Sequence, residues 1–140
     1  MSGVHKSEQK PSDALFLEAC REVKIITIRK CTKIPKRYKT SIIDPLLIAA
    51  SRAKHLALKA NRIFPVTTSL EAEIRQACFR ESLAELQAMA GDVDDLLEMS
   101  DLFHISTRDV DDWSFKIYSA AELIQGVMES DRRRFGRLLK

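Results

Sequence analysis

The chain has 140 residues, 45% of them hydrophobic and 31% charged, with four glycines, four prolines and only 6% aromatics. That length accommodates one domain with its own core, and the composition is that of an all-α protein rather than a β-rich one. No apolar run reaches the length of a membrane span and Met1–Lys6 lacks the apolar core of a signal peptide, so a cytoplasmic protein with no membrane partner is expected.

The net charge of +3 conceals a segregation. Residues 1–65 carry 14 basic and 5 acidic side chains, residues 66–131 carry 4 and 15, and residues 132–140 add 5 basic ones. Basic and acidic helices that simply pair in a bundle would explain part of this pattern. They would not explain why the positive charge gathers on one helix face and one connection.

In chain order, residues 1–11 are polar and end in Pro11, which predicts a disordered N-terminal arm. Ser12 or Asp13 then caps a first helix over about residues 13–32, with an inward stripe of Phe16, Ala19, Cys20, Val23, Ile26 and Thr27. Glu18, Glu22, Arg29 and Lys33 face outward, while Ile25 and Ile28 fall off the stripe and suggest a second contact surface. Pro35 interrupts the helix, since it lacks an N–H and disfavours helix at the preceding residue.

A second helix over about 38–63 follows. Asp44-Pro45 is either its N-cap with proline in the first turn, or a kink in winding that starts near Arg37. Leu46, Leu47, Ala50, Ala53, Ala57, Ala60 and Phe64 form its inward face, and the alanines allow close approach by a neighbour.

Pro65 breaks the chain again, and Thr68-x-x-Glu71 is a capping box that opens a third helix over about 69–99. Its seam is Phe79, Leu83, Leu86, Ala90, Val93 and Leu97, at alternating spacings of four and three. Gly91 costs about 1 kcal/mol relative to alanine inside a helix, which points to a packing requirement. Ser106-x-x-Asp109 caps a fourth helix over about 107–134, with a seam of Val110, Trp113, Ile117, Ala120, Ile124 and Val127. Gly126 lies near that seam and would permit a close helix contact within or between subunits. Arg132, Arg133 and Arg134 sit where cations favour the helix dipole, and residues 136–140 form a basic tail. Four amphipathic helices with short links over residues 12–135 predict an up-down-up-down antiparallel four-helix bundle.

The candidate chemistry is sparse. A di-iron bundle needs inward carboxylates and two Glu-x-x-His pairs, and the chain has neither; Asp101-x-x-His104 is the nearest echo and falls in a predicted loop. Cys20, Cys31 and Cys78 match no disulfide framework or metal spacing and read as small apolar residues. The three histidines lie in the arm, on a helix face and in a loop, and there is no glycine-rich phosphate loop. No enzyme, metal or cofactor is expected. The acidic run Asp92, Asp94, Asp95, Glu98, Asp101, Asp109, Asp111 and Asp112 fits a solvated face, a metal patch or a docking surface for a basic protein. Trp113, Phe79 and Phe64 read as core.

Arg52, His55, Lys59 and Arg62 are spaced i, i+3, i+7, i+10, which puts them on one helix face. Lys30, Lys33, Lys36, Arg37 and Lys39 precede them, with Tyr38 placed either to stack on a base or to edge the core. Lysine and arginine attract phosphates without regard to base sequence, and arginine adds bidentate geometry. The candidate nucleic-acid-binding residues are therefore Lys36, Arg37, Lys39, Arg52, His55, Lys59 and Arg62.

Lys33-Ile34-Pro35-Lys36-Arg37-Tyr38-Lys39, then Ala60-Asn61-Arg62-Ile63, and Trp113 with Leu123-Ile124-Gln125-Gly126-Val127 resemble the accessory variability determinant (Avd) proteins of diversity-generating retroelements. The likeness spans about residues 14–131. Family members often carry tryptophan after the glycine of the last helix, where this chain has Val127. The resemblance implies a cytoplasmic, non-enzymatic homopentamer with a positive surface. It would bind the retroelement's reverse transcriptase and its template RNA, or an RNA–DNA hybrid, and Lys36, Arg37, Arg52, Lys59 and Arg62 match the family's basic character. The related four-helix proteins encoded in intervening sequences of 23S ribosomal RNA genes share the architecture, and a homo-oligomeric adaptor that binds no nucleic acid is the other alternative.

Overall fold

Helix α1 runs Pro11–Cys31 in the computed structural model, which describes the backbone of residues 11–139 and the side chains of residues 15–139. It starts two residues before the expected position and takes in Pro11, the last residue of the expected arm at 1–11; residues 1–10 and the capping side chains of Ser12 and Asp13 lie outside what is described. Phe16, Cys20, Val23 and Thr27 are buried at spacings of three and four, as an inward helical stripe requires. Ile28 instead points to water at 50% exposure, and Ile25 is half-buried.

After Cys31 the chain turns, with Ile34 buried, and winds again from Lys36. Lys36–Tyr38 is a 3₁₀ turn and Lys39–Ile43 a π turn, which lead directly into α2, Asp44–Asn61. Of the two sequence readings of Asp44-Pro45, the winding that starts earlier is the one found. Pro45 has no N–H to give to the preceding turn, and its ring crowds the carbonyl there; the helix widens just ahead of it.

Ala50, Ala53, Ala57 and Ala60 are buried on α2. Their small side chains let α3, Ser69–Asp95, approach closely enough for Ser82 to donate to the Ala53 carbonyl at 2.7 Å. The capping box at the start of α3 forms in full: the Thr68 hydroxyl accepts from the Glu71 amide and the Glu71 carboxylate accepts from the Thr68 amide. Hydrogen bonds from Thr67, hydroxyl and amide, lower the Glu71 pKa.

Of the expected α3 seam, Phe79, Leu86, Ala90 and Val93 are buried, while Leu83 is half-buried and Leu97 is 37% exposed; Ala72, Arg75, Ser82 and Met89 extend the buried face to positions the seam did not include. A 3₁₀ turn at Leu96–Met99 tightens the end, buries Leu96 and turns Leu97 out. Gly91 and Gly126 are exposed, and a Cβ at either would meet nothing within 4 Å, so neither serves a close contact among the described residues.

The fourth helix, α4, covers Thr107–Phe135 behind the Ser106–Asp109 capping box. Val110, Trp113, Ile117, Ala120, Ile124 and Val127 are all buried. Gly136–Leu138 forms a 3₁₀ turn in contact with α3, and Lys140 at the end of the expected basic tail lies outside the described residues.

Each helix packs on its neighbours in sequence and α4 closes back on α1, which makes a four-helix bundle with no strand among the described residues. Phe16 of α1 meets Phe79 of α3 edge to face across the centre, 5.3 Å between centroids. Trp113 is sealed, and its indole N–H donates to the Thr27 hydroxyl at 3.0 Å, which in turn donates to the Val23 carbonyl. No helix among the described residues is long and apolar enough to cross a membrane.

Candidate nucleic-acid interface

Burying alanines 50, 53, 57 and 60 dictates which residues of α2 face water. Arg52, His55, Lys59 and Arg62 lie on the opposite side of the helix, and all four are exposed. Two open hollows follow this face. One, of about 420 Å³, is lined by Lys24, Ser51, Arg52, Lys54, His55 and Leu58. The other, of about 330 Å³, is lined by His55, Leu58, Lys59, Arg62 and Ile63. Both are lined by His55 and Leu58, and the two, taken together as one trough, follow about 15 Å of the helix, ten residues at the helical rise.

Carboxylates touch only part of this surface. The Arg52 Nε donates to Glu85 of α3 at 2.9 Å, a half-exposed pair of the kind worth at most about 1 kcal/mol. His55, Lys59, Arg62, Lys54 and Lys24 have no ion-pair partner among the described residues. Low-dielectric protein lies beneath them, and the four lysine and arginine charges among these groups produce a sustained positive potential.

The first connection contributes differently. Lys36 is exposed and has no ion-pair partner among the described residues. The Arg37 guanidinium lies over the Tyr38 ring at 5.1 Å and donates to the Leu102 carbonyl at 3.4 Å. Lys39 is paired with Asp44 at 3.1 Å. Tyr38 packs on Phe103, centroids 5.4 Å apart, so it edges the core rather than offering its face to a base. None of these three cations lines the trough, and exposed Ile48 intervenes on α2. The sequence joined connection and stripe into one feature; the fold separates them.

Lys30 and Lys33 leave the cationic set altogether. Both donate to Asp109 Oδ1 at 2.7 Å. Those two hydrogen bonds, Lys30 first, hold the Asp109 carboxyl well below the ordinary carboxylate range. Of the acidic run, Asp112 also lies 3.8 Å from Lys30, and Asp94 accepts from the Ser114 hydroxyl.

No known protein family, curated protein or solved structure matches this chain.

Two cations of the trough were not legible in the sequence. Lys54 is two residues from Arg52 and off the stripe's spacing, and Lys24 comes from another helix, so only packing of α1 beside α2 brings it in. Lys54 also sits near the buried Cys20, whose thiol burial pushes up to about 12 against that opposing ammonium. Burial likewise raises Cys31 to about 11 and raises Cys78. All three are buried and free, and thiols held protonated are poor nucleophiles.

The second surprise is Phe64. Continuing the α2 periodicity from Ala60 places it in the core, yet it is 41% exposed. The helix ends at Asn61, the chain leaves the helical path, and Val66 takes the buried place instead.

Proposed function

We propose that this protein is a nucleic-acid-binding accessory subunit of a diversity-generating retroelement reverse transcriptase. In this reading it holds template RNA or an RNA–DNA hybrid beside the polymerase, in the cytoplasm, and performs no chemistry of its own. The observation that carries the binding part is the trough on α2, where five exposed or half-exposed basic side chains have no ion-pair partner among the described residues. The polymerase and the retroelement enter through the resemblance of residues 33–39, 60–63, Trp113 and 123–127 to the accessory variability determinant proteins. A homopentameric assembly belongs to the same reading.

The proposed scaffold is an up-down-up-down antiparallel bundle. Its support lies in pairs whose numbers fall on one helix as they rise on the next. Ala53–Ser82 and Ala60–Arg75 link α2 to α3, Arg75–Asp131 and Asp94–Ser114 link α3 to α4, and Lys30–Asp109 and Glu22–Lys116 link α4 to α1.

Lys59→Glu with Arg62→Glu tests the binding. In a salt titration against labelled RNA the double variant should bind more weakly. Its salt dependence should also be shallower, the log–log slope falling by about one for each phosphate that is no longer neutralised. Unchanged affinity and slope would sink the proposal. Arg52 is a poorer test site, because a glutamate there faces Glu85 and mixes folding with binding.

A second reading is an adaptor whose charges only assemble an oligomer. The internal pairing of Arg52 with Glu85 and of Lys30 and Lys33 with Asp109 favours it. A third, the 23S intervening-sequence protein, is separated by gene neighbourhood: a reverse transcriptase gene beside near-identical repeats that differ at adenines, against a position inside a ribosomal RNA gene.

A further inference from the structure

We infer that the trough on α2 takes single-stranded nucleic acid with its bases turned toward the protein, and that Phe64 is the surface on which a base stacks. This rests on the nucleic-acid reading above and narrows it to one class of ligand.

A duplex hides its base faces, and what it offers a basic helix is phosphate. Cations alone satisfy it, on a convex surface as well as in a hollow. The trough has more than cations. Leu58 lies where the two hollows meet and Ile63 lines the far one, so apolar surface runs between the basic side chains. Phe64 follows Ile63 directly, 41% exposed. It pairs with no other ring and lies under no cation among the described residues. Its ring is thus not stacked on another ring or under a guanidinium, unlike that of Tyr38, which is taken up by Phe103 and Arg37.

An unpaired base has two apolar faces that lose water favourably against such a surface, while the phosphates on its flanks meet Lys59 and Arg62. Phe64 does not itself line either hollow but adjoins Ile63 at the trough's end, and a positively charged groove with an exposed ring beside it suits single strands without regard to sequence. The lining supports that indifference. Apart from Ser51 its polar groups are basic side chains, which reach for phosphates before base edges.

Fluorescence anisotropy with a labelled oligouridylate and a labelled RNA duplex of equal length tests the inference. The protein should bind the single strand more tightly. Phe64→Ala should weaken that binding about fivefold or more and leave duplex binding unchanged, and Phe64→Trp should restore it. An unchanged urea midpoint shows that the exposed position was altered without unfolding the bundle. Equal affinity for both probes with no effect of Phe64→Ala overturns the inference, and leaves phosphate binding standing. Binding of neither probe overturns both. Competition by polyglutamate as effective as that by oligouridylate of equal charge also overturns it, and assigns the trough to an acidic protein segment.

Discussion

Arg75 and Asp131 meet at 2.7 Å with side chains 1% and 6% exposed. The guanidinium also donates to the carbonyls of Ala60 and Ile63 and lies over the Phe79 ring at 4.9 Å. It thus ties the end of α2 to α3 and α4 beside the basic trough, and its donors are shared among three partners. Removing Arg75 leaves the buried Asp131 carboxylate with Arg134 as its one remaining cation among the described residues, so Arg75→Ala should cost at most about 3–5 kcal/mol in urea unfolding. Arg75→Met with Asp131→Leu should recover only part of that loss, because Arg134, which donates to Asp131 at 3.0 Å, then loses its carboxylate. Asp109 is held differently, by two lysines and the cap of α4. Its pKa is lower folded than unfolded, so the unfolded chain takes up the proton first as acid is added. The stability it supplies is complete above the ordinary carboxyl pKa and is lost as pH falls from there toward the folded value. Asp109→Asn should therefore be less stable than the native protein at neutral pH, and the gap between their urea midpoints should close below about pH 4.

At the scale of single elements, polar residues in buried positions are what misled the pattern. On α3 the true seam passes through Arg75 and Ser82, which a reading of apolar periodicity skips. The eye then settles on Leu83 and Leu97, one position over, at the edge of the buried face. On helix α4 the six predicted seam residues are all buried, and its buried carboxylates, Asp109 and Asp131, come before and after them. The two capping boxes were legible because they are local: four residues determine them, and no distant contact is needed. Gly91 is the converse case. Periodicity called for a packing reason, but the position opens to solvent. Gly91→Ala should raise stability by about 0.5–1 kcal/mol, read as a higher thermal midpoint, since alanine restricts the unfolded chain and loses nothing in the folded one. A drop would show that another subunit lies against this face.

Across the whole molecule, the segregated charge is partly an internal matter and partly a surface one. Basic α1 and α2 find carboxylates on α3 and α4 at Glu85 and Asp109, which is the bundle pairing with itself. The α2 face beyond Arg52 is left without partners among the described residues. Native mass spectrometry separates the two uses: Lys59→Glu with Arg62→Glu should leave the mass of the assembly unchanged while RNA binding falls. Loss of the assembly in that variant would place these charges in an oligomer interface instead.

Helical class, the number of helices, both capping boxes, the α4 seam and exposure of the α2 stripe followed from the sequence alone. All of them depend on spacings of three and four residues, which the chain carries wherever it is placed. Which cations keep a carboxylate, the contribution of Lys24 to the trough, the burial of Arg75 against Asp131 and the exposure of Phe64 were decided only by packing. Each depends on what a neighbouring helix or a chain reversal brings within a few ångströms, and one-dimensional periodicity holds no record of that distance.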